Sequence, residues 1–392
     1  MKRSRLAVLV STLLIVSIAG ALVYTKLRPA TPIDPPRQSS QSAPHENRTI
    51  RLVASGDMLA HDSVNQQART AAGYDYRQFL SPVEQIYKAA DIRFCNLEVP
   101  TAGEALGISG YPTFNAPTQF SEDIAASGCN VLSLANNHLY DKGQAGIDRT
   151  REVWDRLKPL AVAGANRTPA EQDSLAYFEV EGMRFAFLAY TEISNNPVPT
   201  KFSLNMLDET LVRAQLATAR QEADVVLVGV HWGTEYSSEI NQAQERWAKI
   251  FADSGADIVL GTGPHVLQPV ERISQPDGSE TLVWYSLGNL LSTQLELDSL
   301  IGGFAVMDFD IEKKALTSVS FLPTYMHYEW TAQERDSSNL LARRNLGVHP
   351  LDQAAPLLAR SLHTTSVEAQ TERLKLLLNR RSTVPLITSA TY

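Results

Sequence analysis

Asp57, Glu98, Asn137 with His138, His231 and His265 each stand just past the end of a short apolar run. Carboxylates, an amide and imidazoles form an oxygen-and-nitrogen donor set that suits a catalytic divalent cation better than a packed core. Each residue is ambiguous alone. Gly-Asp after an apolar run is most often a turn, and a single histidine beside one is most often a satisfied core residue. Coincidence carries the weight. Of eight histidines, His138, His231 and His265 follow run-ends and His61 lies four residues beyond Asp57. His45, His327, His349 and His363 have no such setting and are read as surface or core residues.

The elements that must position these groups follow from the same pattern. Thr49 to Ala54 is a strand candidate ending at Gly56-Asp57, and Asp91 to Cys95 is a second, running into Asn96-Leu97-Glu98. Between them a helix is expected over 82–90, with Ser81 as its cap and Glu84 completing a capping box. A helix near 119–127 closes at Gly128. Asn130 to Ala135 is a third strand, followed by Asn136-Asn137-His138, a helix at 144–157 and a short strand near 160–163. Residues 176–190 suggest a hairpin turning at Glu181-Gly182. A helix near 208–222 leads into Asp224 to Val230, an apolar run suited to a strand covered on both faces. A helix near 241–254 and the strand 257–260 lead to His265. Antiparallel pieces are expected at 269–274, 281–287, 303–310 and 315–321. This alternation predicts an α/β chain, a four-layer α/β/β/α sandwich of two packed sheets flanked by helices. In such a fold the run-ends share one sheet edge, where sites form. Residues 331–392 are expected as a helical C-terminal extension, with an amphipathic helix within 366–380.

Lys2, Arg3 and Arg5 precede an apolar run from Leu6 to Tyr24. Nineteen helical residues at about 1.5 Å each can cross a hydrocarbon core of about 30 Å. Residues 1–28 are therefore expected as a cytoplasmic stub and transmembrane anchor, with the globular part outside the cell; a cleaved signal peptide is the alternative. Residues 29–48 hold five prolines among Ser and Gln and form a linker. The folded domain is then 49–330. Cys95 and Cys129, the only cysteines, are read as two small buried side chains, with a disulfide as the alternative outside the cell. The net charge of -8 argues against a nucleic-acid partner.

The segments Gly56-Asp57-Met58-Leu59, Asn96-Leu97-Glu98, Leu134-Ala135-Asn136-Asn137-His138, His231-Trp232-Gly233-Thr234-Glu235-Tyr236, Gly261 to Gln268 and Tyr285-Ser286-Leu287-Gly288-Asn289 occur in one order. That ordered set resembles the CapA family of capsule-synthesis proteins, linked to poly-γ-glutamate production. The family is in turn similar in fold and motif order to the calcineurin-like metallophosphoesterases. The resemblance implies that Asp57, Glu98, Asn137, His231 and His265 bind one or two divalent ions (Mn, Zn or Fe) and that His138 stays off the metal as the catalytic imidazole. It further implies substrate contacts at His61, Asn96, Asn136, Glu235 and Asn289. The chain departs from the phosphoesterase pattern at Leu59 and Gly263, where that pattern has His, and at Glu98, where it has Asp.

Two functions follow from the resemblance. One is a membrane-anchored extracellular component of poly-γ-glutamate synthesis and export, with the anionic polymer and the membrane synthase subunits as partners. The other is a metal-dependent phosphoesterase or hydrolase acting on a cell-envelope substrate.

Overall fold

The computed structural model describes residues 48–392. The anchor expected over 6–24 and nearly all of the linker lie outside them. No helix among the described residues is long and apolar enough to cross a membrane.

Sixteen strands occur among the described residues. They are β1 (Thr49–Met58), β2 (Arg69–Thr70), β3 (Gly73–Tyr74), β4 (Ile92–Leu97), β5 (Val131–Ser133), β6 (Ala161–Ala163), β7 (Ala176–Val180) and β8 (Met183–Thr191). Then follow β9 (Val225–His231), β10 (Ile258–Thr262), β11 (Val270–Ser274), β12 (Glu280–Trp284), β13 (Asn289–Leu291), β14 (Ile301–Asp310), β15 (Ala315–Glu329) and β16 (Arg344–Pro350). One sheet has the order β16-β15-β14-β1-β4-β5-β6, with β13 also pairing β1; the other has the order β11-β12-β10-β9-β8-β7. β1, β4, β5 and β6 run parallel, as do β8, β9, β10 and β12. The two parallel runs supply the strand ends that the sequence marks.

The sheets pack face to face through aromatic side chains. Phe94 meets Phe187, Phe185 meets Phe309 and Trp284 meets Phe321, with ring centroids 5.9, 5.7 and 5.6 Å apart. On the far side of the second sheet, Leu188, Val226, Val228 and Val230 pack on Val212, Leu216, Trp247 and Phe251 from the helices Glu209–Glu222 and Gln242–Asp253. The run 225–230 is therefore apolar at every position because both its faces are covered. Outside the first sheet, Tyr87 packs edge-on to Phe304. The architecture is mixed α/β with helices outside two sheets.

Local chemistry explains most boundaries. Asp208 caps its helix by accepting from Leu211 N, and Asn241 and Gln244 form a reciprocal capping box. Glu181 and Gly182 both take positive φ (49° and 79°), as a two-residue hairpin turn requires.

Three expectations need correction. The helix expected over 82–90 is a short 3-10 turn, Ser81–Val83, followed by the helix Glu84–Lys88. Ser81 does not cap it, because its Oγ donates backward to Gln78 O instead. Cys95 and Cys129 are joined in a disulfide, with Cα atoms 6.0 Å apart; parallel neighbours β4 and β5 bring them together. The segment after 331 is more than helical, since Arg344–Pro350 adds an edge strand to β15. The expected amphipathic helix is present as Val367–Leu378, burying Leu374, Leu377 and Leu378.

Candidate metal centre

Asp57 ends β1, Glu98 follows β4, and Asn137 and His138 follow β5; all three strands belong to the first sheet. His231 ends β9 and His265 follows β10, in the second sheet. All six residues are buried. The chain reaches Asp57 through an approach only glycine allows: a Cβ on Gly56 would lie 1.8 Å from Gly288 O. Asp57 N then donates to that same oxygen at 2.9 Å.

Both oxygens of Asp57 have partners. Its Oδ1 accepts from Asn96 Nδ2 at 2.8 Å; its Oδ2 accepts from Gly263 N at 3.2 Å and lies 3.1 Å from His265 Nδ1. His265 Nδ1 also faces Asn289 Oδ1 at 3.0 Å. Both neighbours are acceptors, which assigns the proton to Nδ1 and leaves Nε2 with a lone pair. That lone pair points toward Glu98, 3.7 Å from its Oε1. His231 Nε2 lies 3.6 Å from the same oxygen, and Asp57, Glu98 and His231 offer donor atoms all within 4.8 Å of one another. Two donors of a tetrahedral site with bonds of about 2.0–2.1 Å lie about 3.4 Å apart. The spacing fits a shared cation.

The unsatisfied atoms make the stronger test. Both oxygens of Glu98, Asn137 Oδ1 and Asn96 Oδ1 are buried without a hydrogen-bond partner. All four are acceptors, and protein interiors rarely leave such groups unmet. A cation held by Asp57, Glu98 and His231 would meet the Glu98 oxygens. The electrostatics agree. Burial, reinforced by the charge of Asp57, raises the Glu98 carboxyl well above its usual range. Burial also opposes charge on Asp57, yet the hydrogen bond and charge of His265 outweigh it and lower the Asp57 pKa. Burial pushes His231 down to about 4, keeping it neutral and able to ligate. Burial opposes charge on His265 too, but Asp57 raises it overall. His265 also holds a left-handed backbone, φ 60°, a strained conformation for a non-glycine residue of the kind that clusters at functional sites.

Beside this group His138 Nδ1 lies 2.8 Å from Asp141 Oδ2. Phe114 packs edge-on to both His138 and His61, with centroids 4.6 and 5.4 Å away. His61 is half-buried, and its Nδ1 accepts from Thr293 N at 3.3 Å. Burial, with the charges of His265, Arg343 and His138, pushes it down to about 3.

The other expected contacts lie in different places. Asn96 and Asn136 are buried and spend their amides on neighbours: Asn96 on Asp57, Asn136 on Leu97 O and His138 N. Asn289 braces His265 while donating to Gln294 and to Ser299 O. Such partners orient ligands from behind. Glu235 alone is exposed, next to exposed Tyr236. Leu59, where the phosphoesterase pattern has His, is buried apolar.

Sequence reasoning missed Asp141, Asn195 and Asn196. Asn195 Nδ2 lies 3.3 Å from the ring nitrogens of His138, and Asn196 Nδ2 donates to Asp141 Oδ1 at 2.8 Å. An acid three residues after a candidate catalytic His was a signal available for Asp141. The two asparagines come from a loop with no periodicity to mark them.

The fold and site together define a mixed α/β protein with a buried carboxylate–imidazole group compatible with a divalent cation. Residues 51–294 match the family model for the bacterial capsule synthesis protein PGA_cap, and the chain belongs to that family. It is 30% identical to the PGA biosynthesis protein CapA of Bacillus subtilis over 54% of this chain, and 29% identical to the capsule biosynthesis protein CapA of Bacillus anthracis over 64% of it. These matches span 56% and 61% of the relatives' own lengths. Among solved structures it is similar to a phosphatase from Mycoplasma pneumoniae, at 12% identity and a TM-score of 0.44, covering 70% of this chain and 93% of that one. A 5'-nucleotidase from Candida albicans is similar at 11% identity and a TM-score of 0.39, covering 70% and 51%.

Proposed function

We propose that this chain is a membrane-anchored, extracellular component of capsular poly-γ-glutamate synthesis and export that works through a divalent metal site. The observation that carries the reading is Glu98: a fully buried carboxylate, both oxygens unpartnered, facing two imidazoles. Asp57, Glu98, Asn137, His231 and His265 hold the ion, which is Mn, Zn or Fe by the mixed oxygen-and-nitrogen donor set. When bound, the cation supplies positive charge that attracts carboxylate or phosphoryl oxygens. Asn96 and Asn289 fix the ligands from behind, while His61 and Glu235 meet what approaches from the open side. The polymer and the membrane synthase subunits are the partners, and the apolar run 6–24 holds the domain at the outer surface.

The full chain should bind polyglutamate saturably with Mn²⁺ present, and chelation or Glu98→Gln should abolish that binding. Binding indifferent to both, or none at all, overturns the reading. Surface protease treatment of intact cells tests the location, since a chain that stays protected is not extracellular.

A second reading, a metal-dependent phosphoesterase acting on an envelope substrate, is favoured by the His138–Asp141 pair beside the ligands. Here Asp141 orients His138, and the His138 ring donates a proton to the leaving oxygen. Hydrolysis of a generic phosphodiester that His138→Ala abolishes, with metal content unchanged, separates this reading from the first.

A further inference from the structure

We propose that His327, Glu329 and His349 form a second metal site, of zinc type, on the face of β15 and β16. The sequence singles out none of the three, and they lie beyond the segment that matches the family model. The inference is independent of the function proposed above.

The register builds the site. His327 pairs opposite Gly347, and Tyr325 pairs opposite His349. Opposed residues of an antiparallel ladder share a face, as do residues two apart. His327 and His349 are therefore diagonal neighbours on one face. The position facing His327 carries no side chain, and the His349 ring fills it: a Cβ on Gly347 would lie 2.8 Å from His349 Nε2. Glu329 stands two residues beyond His327, with its Oε1 3.6 Å from His327 Nε2. That spacing is too long for a hydrogen bond and right for two donors of one ion.

The polar atoms at this place are unmet. His327 is 1% exposed and neither ring nitrogen has a hydrogen-bond partner; Glu329 Oε1 is buried without a hydrogen bond as well. A neutral imidazole carries one donor and one acceptor; an ion would meet the acceptor nitrogen that faces Glu329, and the N–H is left for water. Arg360 Nε forms an ion pair with Glu329 Oε1 at 3.4 Å without hydrogen-bond geometry, so a zinc ion would take this carboxylate in exchange for the guanidinium. Among the described residues only Asp57, Glu98 and His231 already have three donors within 4.8 Å of one another. The His327–Glu329 pair is in place, and binding would require the His349 ring, which sits over Gly347 opposite His327, to move toward that pair. Two imidazoles and one carboxylate, with water in the fourth position, suit Zn²⁺ rather than Mg²⁺ or Ca²⁺. Tyr325, whose ring lies 5.8 Å from that of His327, also lines a neighbouring cavity of about 310 Å³. The bound ion would tie the edge strand β16 to β15.

The test uses the untagged full chain, stripped with chelator and titrated with Zn²⁺ alone. In a Glu98→Gln background, which disables the first centre, one zinc should still bind and raise the melting temperature. Adding His327→Gln should remove that zinc, and His349→Gln should weaken it at least tenfold. Glu329→Gln, at a partly exposed position, should weaken it similarly with the circular dichroism spectrum unchanged, which guards against simple misfolding. Equal zinc uptake with and without His327→Gln, or undiminished affinity in a folded Glu329→Gln protein, overturns the proposal. Either result leaves the cluster holding water only.

Discussion

Asp141 Oδ2 lies 2.8 Å from His138 Nδ1 and also accepts from Phe114 N at 2.7 Å, while Asp141 Oδ1 accepts from Asn196 Nδ2. This carboxylate fixes the ring from one side, with its own position fixed by two further donors. Asp141→Asn replaces one acceptor oxygen by a donor, so it cannot satisfy all three groups. If the chain hydrolyses phosphodiesters, turnover should fall by about 10²-fold or more, within the range general acid–base groups contribute. Bound metal should not change. Wild-type turnover in this variant would remove Asp141 from the chemistry.

Glu98→Gln separates stability from binding. Without metal, the buried Glu98 carboxyl already favours its protonated form, which an amide resembles. The chelated variant should therefore melt at or above the wild-type temperature. Added Mn²⁺ or Zn²⁺ should raise the melting point of the wild type by mass action, and raise it much less in the variant. A chelated variant several degrees less stable than wild type would show that the carboxylate is paired in a way the geometry does not reveal.

Gly56→Ala tests the backbone approach beneath Asp57. The new methyl would lie 1.8 Å from Gly288 O, so β1 must separate from the strand beside it. A loss of about 3 kcal/mol or more is expected from overpacking at a site with no flexible neighbour, together with loss of metal uptake. Chemical denaturation measures the first and metal analysis the second.

The Cys95–Cys129 disulfide closes a loop with a sequence separation of 34. Chain entropy gives such a closure about 3–4 kcal/mol. Reductant should lower the melting temperature of the wild type and leave that of Cys95→Ala unchanged. A wild type indifferent to reductant would show that the bond does not form in solution.

What the sequence displayed depends on the kind of physics involved. The parallel strands were legible because burial on both faces makes runs such as Val225–Val230 apolar throughout, and the candidate ligands were legible because they interrupt those runs at their ends. The hairpin at Glu181-Gly182 was legible from turn chemistry alone. The Cys95–Cys129 bond was not, because the register of β4 against β5 decides it and spacing does not. Asp141 and the asparagines at 195 and 196 lie in irregular chain, where position follows from tertiary contact. The same holds for His327. Its neighbours in sequence look like ordinary strand, and only its burial in the folded sheet leaves its nitrogens without partners.

Asp57, Glu98 and Asn137 come from one sheet, His231 and His265 from the other. A half-assembled molecule therefore owns carboxylates without imidazoles, or the reverse, and grips nothing well. An ion held by both sheets, as proposed above, would bind only after the two halves meet and would then oppose their parting. Such a cation would be a rivet between the sheets, and its uptake would time-stamp the last act of folding.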